Sequence, residues 1–330
     1  MDYLVSIIMP CYNSEEYLDM SIGSIYDQDY SQIELIVVDD GSTDTSKSII
    51  LSWQKRFSEK GFELKYVYQD NQGQGAAINT GLKLVAGKYV TLLDSDDKFL
   101  PGSIAVRAQF LNDHLECSGV RSNGWLVEGP EKRLFITDED EKNCTDLFRA
   151  LTQGKTNNWA GTYMVRTDVL FSIYTDRNIY PSRLGQNFQI LLPVAYKRKF
   201  GYIDIPLMEY YIYSNSHSHS ADVNMRYELE EKNAMGWKDI YNNVLYRIES
   251  DEHIRQVFMN EYEAVFCRGG LRRAILNNKS EAIREYYKRL KATRKITLSD
   301  RIAYHQARRS PILIPLKIVR RIKMMLSSKK

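Results

Sequence analysis

In the stretch Glu34-Leu35-Ile36-Val37-Val38-Asp39-Asp40-Gly41-Ser42, four apolar residues, three of them β-branched, run straight into two acids, a glycine and a serine. A short continuous apolar run suits a strand buried on both faces, as in a parallel sheet, and the polar residues behind it suit a turn at its carboxyl end. Outward from it the same rhythm recurs. Leu4 to Met9 reads as a buried strand stopped by Pro10, and Asn13 to Glu16 as a helix start followed by apolar spacing at Leu18, Ile22 and Ile25. Behind Ser42 or Thr43 as a cap, a helix is expected from Thr45 toward Phe57. A strand at Leu64–Tyr68, a helix at Gly75–Val85 and a strand at Tyr89–Leu93 complete a β-α-β-α-β-α-β pattern, which predicts a Rossmann-like α/β sheet.

Beyond Pro101 the pattern loosens and a mixed sheet flanked by helices fits best. A helix is expected near Ile104–Leu111, strands at Gly119–Glu128, Thr162–Val165, Tyr202–Ile205 and Leu207–Tyr213, and a helix at Leu184–Tyr196. From Met225 to Pro311 no proline interrupts a helical texture, so the boundary is expected at 222/223, with a catalytic domain over 1–222 and a mainly helical C-terminal domain over 223–330.

At 330 residues with 43% apolar content, the chain has material for one large and one smaller domain. No stretch reaches the eighteen apolar residues of a spanning helix, and Met1-Asp2-Tyr3 lacks the cations of an export signal. The four cysteines, Cys11, Cys117, Cys144 and Cys267, are far apart and form no metal knuckle. A cytoplasmic protein is expected, with a peripheral position at the inner face of the membrane as a refinement. The net charge of +3 conceals an asymmetry: Ala282–Lys330 carries 15 Lys and Arg against two acids, whereas the preceding 281 residues carry 30 against 40. That tail, with Ile312, Leu316, Ile318, Ile322 and Met325 among its cations, suits an interfacial helix on anionic lipid or a helix docking on an acidic partner, or equally an ordinary amphipathic packing helix. An acidic body argues against nucleic acid.

Ligands of parallel sheets sit at the carboxyl ends of the strands. Three polar clusters fall there: Pro10-Cys11-Tyr12-Asn13, Asp39-Asp40-Gly41-Ser42 and Asp94-Ser95-Asp96-Asp97. Any one could be a turn, but three at successive strand ends predict one pocket. Three carboxylates in four positions repel one another unless a cation sits among them; hard oxygen ligands favour Mg²⁺ or Mn²⁺, and a nucleoside diphosphate is the natural companion. Gly73-Gln74-Gly75-Ala76-Ala77-Ile78 imitates a dinucleotide fingerprint, but Ile78 stands where a small residue is needed.

Val5 to Asn13, Glu34 to Asp44, Asn71 to Asn79 and Gly87 to Asp97 together resemble the successive signatures of family 2 glycosyltransferases with the GT-A fold, among them bacterial enzymes of surface-glycan or glycoprotein-glycan assembly. The resemblance is dense over residues 4–101 and thins toward 220. It implies inverting transfer of a hexose or N-acetylhexosamine from a UDP-sugar to a hydroxyl of a lipid-linked, polysaccharide or glycoprotein acceptor, with Mn²⁺ or Mg²⁺. By position it implies that Pro10, Tyr12 and Asp40 line base and ribose. Asn13 and the Asn71–Asn79 segment, Gly73 included, shape the pocket; Asp94 and Ser95 belong to the sugar-nucleotide contacts, Asp96 holds the metal with Asp94, and Asp97 supports the loop.

The departure is at the base. Many members of the resembled family carry Glu-Asp or a lone Asp at the start of the helix near Leu184, where this chain reads Gly185-Gln186-Asn187, and an amide accepts no proton at neutral pH. Gln186 and Asn187 then position the acceptor, or Asp168, Asp204 or Glu209 serves as base, or diphosphate departure dominates. His217 and His219 offer phosphate donors or metal ligands, or are merely solvated. Trp159 and Gly161 are expected on the acceptor side, because sugar faces pack on aromatic rings. Two other classes stay open: a non-catalytic sugar-nucleotide-binding module and a nucleotidyltransferase.

Overall fold

The computed structural model describes residues 2–157, 159–213 and 223–309. The elements are β1 (Val5–Cys11), α1 (Leu18–Tyr26), β2 (Ile33–Asp40), α2 (Ser46–Glu59), β3 (Glu63–Gln69), α3 (Gln74–Leu84), β4 (Tyr89–Leu92), β5 (Lys98–Phe99), α4 (Ser103–Asp113), β6 (Cys117–Glu128) and β7 (Glu131–Leu134). There follow α5 (Glu139–Lys142), α6 (Leu147–Thr152), β8 (Tyr163–Arg166), α7 (Thr167–Ile173), α8 (Gln186–Ala195), β9 (Lys199–Tyr211), α9 (Val223–Ile248), α10 (Glu252–Leu276), α11 (Ser280–Ala292) and α12 (Leu298–Arg309).

One mixed sheet runs β3-β2-β1-β4-β8-β6-β9-β5, with β7 on β6. The first four strands are parallel, with Val5 opposite Ile33 and Cys11 opposite Asp39; β8 is antiparallel to both β4 and β6. Every residue of β1 and β2 is buried, as continuous apolar runs require. At the end of the sheet away from the three polar clusters, fully buried Glu34 takes hydrogen bonds from Lys65 Nζ (2.6 Å), Ala86 N–H (2.8 Å) and Gly87 N–H (3.1 Å), and from the Ser6 hydroxyl. Burial pushes this carboxyl up, but Lys65, Ser6 and the Ala86 N–H outweigh it and hold it below the ordinary range.

Pro10 does not stop β1, which continues to Cys11. The Ile8 carbonyl faces the β4 side and accepts from Leu93 N–H at 3.1 Å; Pro10, two residues on, faces the same way where β4 has ended, so its missing N–H breaks no ladder. Helix α1 begins at Leu18, not at Asn13–Glu16, because Asn13 is left-handed (φ 47) and Ser14 opens a turn. Neither Ser42 nor Thr43 caps α2: Asp44 Oδ1 accepts from Ser46 N–H at 3.0 Å. The two strands expected over 202–213 are one, β9, whose irregular register against β6 accommodates Pro206 opposite Asn123.

The chain divides into two compact units, Met1–His219 with Asp239–Glu252, and Ser220–Lys238 with His253–Lys330. The expected 222/223 boundary precedes α9, whereas the units part within it. Tyr241 is buried with its ring 6.3 Å from that of Phe188, and Glu249 pairs with Lys197 at 2.8 Å, which ties the second half of α9 to the first unit. In the second unit Phe266, Cys267, Leu271, Ile283, Tyr286 and Leu290 form the core, braced by Glu263 between Lys238 (2.7 Å) and Arg289 (2.6 Å). Among the described residues no helix is long and apolar enough to cross a membrane.

Candidate active site

The three polar clusters meet. The Ser14 and Ser95 hydroxyls lie 2.8 Å apart, Ser14 N–H donates to Ser46 Oγ (3.0 Å), Asn13 N–H donates to Ser42 Oγ (2.9 Å), and Asn13 Oδ1 accepts from Thr43 N–H (2.8 Å). Loops after β1, β2 and β4 are thereby bound into one surface at the carboxyl edge of the sheet. Tyr12 projects from it, 46% exposed, an aromatic face open to a flat ligand. Asp39 is spent on the scaffold, accepting from Ser42 N–H and the Tyr66 hydroxyl, both at 2.8 Å.

Asp40 is buried, and its carboxylate accepts from Gln69 Nε2 (2.7 Å), Gln72 N–H (2.9 Å) and Gly73 N–H (2.7 Å). It thus draws the Asn71–Gly73 loop over the end of β2. Gly41 (φ +85) is required by that loop, since a Cβ there would lie 2.8 Å from the Asn71 nitrogen.

The glycines of Gly73-Gln74-Gly75 serve a third segment. At Gly75 a Cβ would lie 2.4 Å from the Ser182 carbonyl oxygen, and at Gly73 (φ +90) it would lie 3.1 Å from Arg183 Cγ. Residues 182–183 therefore rest on the start of α3, and these glycines answer a close chain crossing in place of a pyrophosphate turn. The close approach of α3 to β1 occurs at Gly81, where a Cβ would meet Ile8 at 2.6 Å, so Ile78 is an ordinary buried residue. Asn79, expected to shape the pocket, anchors the scaffold: its amide exchanges hydrogen bonds with the Ile179 backbone at 2.8 and 3.1 Å.

After β4 the chain turns through Asp94–Asp97, with Asp97 N–H donating to the Asp94 carbonyl (3.1 Å). Gln74 Nε2, from the start of α3, donates to Asp94 Oδ1 at 2.9 Å. Burial, and then the Asp96 charge, push the Asp94 carboxyl up to about 7. Burial also raises Asp96. Asp97 is fully buried and pushed well up by burial and by both neighbouring acids; Oδ1 accepts from Tyr211 N–H at 3.1 Å, while Oδ2 has no hydrogen-bond partner among the described residues. Such a set is short of positive charge. Hard carboxylate oxygens and an orphaned buried oxygen beside them fit a divalent cation. Among the described residues no three acids, histidines or cysteines converge to hold an ion alone, so water or substrate oxygens would complete its shell. His217 and His219 lie outside the described residues.

Aromatic rings border the acids. Burial and the three carboxylates push the Tyr210 hydroxyl up to about 12; the rings of Tyr17 and Tyr213 lie 4.4 Å apart, and the Tyr213 hydroxyl reaches the Asp96 carbonyl at 3.4 Å. Trp159 stacks on Tyr210 at 5.3 Å with Phe135 edge-on at 4.3 Å. Gly161, expected on the acceptor side, is a buried hinge: φ is +77, its N–H donates to the Leu92 carbonyl (2.7 Å), and its carbonyl accepts from fully buried Arg107 (2.8 Å).

Gln186 and Asn187 open α8. Gln186 Nε2 donates to the Ser182 carbonyl (3.1 Å), and Asn187 Oδ1 accepts from the buried Tyr163 hydroxyl (2.7 Å), a phenol raised by burial and then by Asp94. Each amide keeps one end uncommitted by these bonds, Oε1 of Gln186 and Nδ2 of Asn187. Of the three candidate bases, Asp168 is at the wrong end of the sheet: it follows Arg166, which pairs with Tyr89 at the start of β4, whereas Asp94 follows the finish of that strand. Asp204 is engaged by Lys142 (2.9 Å) and Asn123 (2.9 Å), and Glu209 by Lys132 (2.6 Å) and the Tyr211 hydroxyl (2.7 Å). The hydrogen bonds from Lys142 and Asn123 pull Asp204 below the usual range, and those from Lys132 and Tyr211 overcome burial at Glu209. Gln74, Tyr163, Arg107 and Arg183 were not singled out by sequence. Only Gln74 had a local signal, its place between two glycines at a helix start.

Residues 6–172 match the family described as Glycosyl transferase family 2. The glycosyltransferase GlyA of Streptococcus pneumoniae is 46% identical over 97 residues, 29% of this chain and 13% of that protein; an uncharacterised glycosyltransferase of Haemophilus influenzae is 44% identical over 138 residues, 41% of this chain and 54% of that one. The chain thus spans about half the length of these curated relatives, or less. Among solved structures, S. aureus TarS 1-349 in complex with UDP-GlcNAc superposes with a TM-score of 0.62 at 21% identity, covering 92% of this chain and 87% of that one. The mannosyltransferase PcManGT of Pyrobaculum calidifontis, in complex with GDP-Man and Mn²⁺, gives 0.54 at 15% identity, covering 93% and 86%. These likenesses identify the mixed sheet flanked by helices as the GT-A fold, and with the motif match over half the sequence they establish that the chain belongs to glycosyl transferase family 2.

Proposed function

We propose that this chain transfers a hexose or N-acetylhexosamine from a UDP-sugar to a hydroxyl of a glycan acceptor, with inversion and with Mn²⁺ or Mg²⁺. The observation that carries the reading is the Asp94–Asp97 turn: three acids raised by burial, one oxygen of Asp97 without a partner among the described residues, tied through Ser95 and Ser14 to the loop bearing Tyr12 and Asn13. The nucleotide-sugar complexes named for TarS and PcManGT support the choice of ligand, and the Mn²⁺ of the latter supports the metal.

On this reading Tyr12, Pro10 and the Asp40-held loop of Asn71–Gly73 receive the nucleoside. Asp94 and Asp96 would hold the cation, with His217 and His219 as further proposed ligands, and Asp97 keeps the turn seated through Tyr211. When bound, the cation neutralises the diphosphate as it leaves. The acceptor oxygen bonds to the anomeric carbon as the carbon–oxygen bond to diphosphate breaks, and UDP departs with the bonding pair. Gln186 Oε1 and Asn187 Nδ2 orient the attacking hydroxyl, and Trp159 with Tyr210 forms a ring platform for the acceptor. Neither amide takes the proton, which passes from the acceptor hydroxyl to the departing UDP diphosphate or to water; orientation and diphosphate departure drive the step.

The exposed cations of α11 and α12, Arg284, Lys288, Lys291 and Arg301 among them, are proposed to meet an anionic membrane surface or an acidic partner, at the cytoplasmic side.

Release of UDP from a panel of UDP-sugars with Mn²⁺, abolished by EDTA and by Asp96→Ala, tests the reading. UDP binding with no release from any donor or acceptor would leave a sugar-nucleotide-binding module, and pyrophosphate release from a nucleoside triphosphate would make the chain a nucleotidyltransferase.

A further inference from the structure

Arg183 is exposed, and it makes no hydrogen bond, ion pair or ring contact with the described residues. Its stem is nevertheless seated. Cγ, Nε and Cδ lie 3.1, 3.4 and 3.8 Å from where a Cβ of Gly73 would stand, so the start of α3 leaves room for this side chain. The seat is within the candidate site: Gly73 N–H is bound by Asp40, the next residue, Gln74, binds Asp94, and the preceding residue, Ser182, is held by Gln186.

Among the described residues no acid pairs with this guanidinium. Asp40 is occupied by three donors, Asp94 Oδ1 by Gln74, and amides stand at 186 and 187. Arginine is charged at all working pH values and presents a fork of donors that matches phosphate and carboxylate oxygens. A seated guanidinium that no acid pairs with among the described residues, beside the helix start that holds Asp94, is suited to a negative group that arrives with substrate.

We infer that Arg183 is a substrate-binding residue of this site, whose guanidinium receives a phosphate or carboxylate oxyanion brought by the donor or the acceptor. The inference rests on the glycosyl-transfer reading for the identity of those substrates, and on the Gly73 seat for its geometry. Among the described residues no carboxylate pairs with this guanidinium.

Isothermal titration of UDP and of inorganic pyrophosphate into the full chain, and of glycerol 3-phosphate into the UDP-saturated chain, with Arg183→Ala and Arg183→Lys beside the wild type, tests it. A charge-assisted pair of this kind changes affinity about tenfold or more. If the donor diphosphate is the partner, Arg183→Ala weakens UDP and pyrophosphate at least tenfold, and Arg183→Lys restores part of the loss. If an acceptor anion is the partner, UDP affinity is unchanged and glycerol 3-phosphate binding is lost in Arg183→Ala. Equal affinities of wild type and Arg183→Ala for all three probes overturn the inference. Failure of glycosyl transfer itself would show separately, as absent UDP-sugar turnover in the wild type, and would leave the pyrophosphate comparison readable.

Discussion

Gln74 Nε2 donates to Asp94 Oδ1 at 2.9 Å, so the first residue of α3 holds the first acid of the turn after β4. This contact joins the segment that Asp40 and residues 182–183 fasten in place to the acids proposed to hold the cation. Replacing Gln74 by Ala leaves Asp94 beside its acidic neighbours with one donor fewer. A hydrogen bond to a charged group contributes about 1.5–3 kcal/mol, so donor KM and the Mn²⁺ concentration for half-maximal UDP release should each rise roughly tenfold or more. Unchanged Mn²⁺ dependence in Gln74→Ala would contradict this role.

The Tyr163 hydroxyl fixes the Asn187 amide at 2.7 Å. Tyr163→Phe keeps the buried ring and removes the donor, at a cost of about 1–2 kcal/mol in stability. The expected kinetic result is a lower kcat in acceptor-dependent UDP release with unchanged UDP affinity, because only acceptor orientation is disturbed. Equal kcat in the two proteins would remove Asn187 from the transfer step.

Glu34 ties three strands together far from the site and has a pH signature. Its folded pKa lies below the ordinary carboxylate value, so its contribution is present above roughly pH 4.3 and is lost as pH falls through the folded pKa. Glu34→Gln should cost about 3 kcal/mol near neutral pH, because it leaves Lys65 without its buried partner. The melting-temperature difference between the two proteins should shrink steadily below about pH 4. A difference independent of pH would mean that the neutral shape of the side chain, not its charge, braces the sheet.

Gly161→Ala would bring a methyl within 2.9 Å of Met208 Cε and 3.2 Å of Leu93 Cδ1 at a φ of +77. Strain and overpacking together should destabilise the first unit by roughly 1–3 kcal/mol in urea unfolding. The same change should leave sugar specificity untouched, since the position carries no exposed surface.

Leu298 and Ile302 are 73% and 49% exposed one turn apart on α12, near Arg294, Lys295 and Arg301. Sedimentation with vesicles containing phosphatidylserine, but not with neutral ones, is expected at low salt. The triple change of Arg294, Lys295 and Arg301 to Glu should weaken it at least tenfold, at about 1 kcal/mol per cation near an anionic surface. Equal sedimentation of the variant would leave the acidic-partner alternative.

What could be read along the chain was local. Apolar runs of strand length ending in Asp, Asn and Ser identify β1, β2 and β4 and their carboxyl ends, because burial on both faces and turn chemistry are written in consecutive residues. The acids at 94–97 and the amides at 186–187 were legible for the same reason. Contacts between segments far apart in sequence were not. Gly73 and Gly75 imitate a dinucleotide turn until Ser182 and Arg183 are seen to cross them, and Asn79 looks like a pocket residue until Ile179 takes both ends of its amide. Asp168, Asp204 and Glu209 were indistinguishable as carboxylates; strand direction removes the first, and Lys142 and Lys132 engage the other two. The sequence by itself determined the parallel strands, their polar ends and the family, since each depends on neighbours along the chain. The assignment of each polar side chain to scaffold or to substrate was decided only by the tertiary structure, because hydrogen-bond partners a hundred residues away determine which groups remain available.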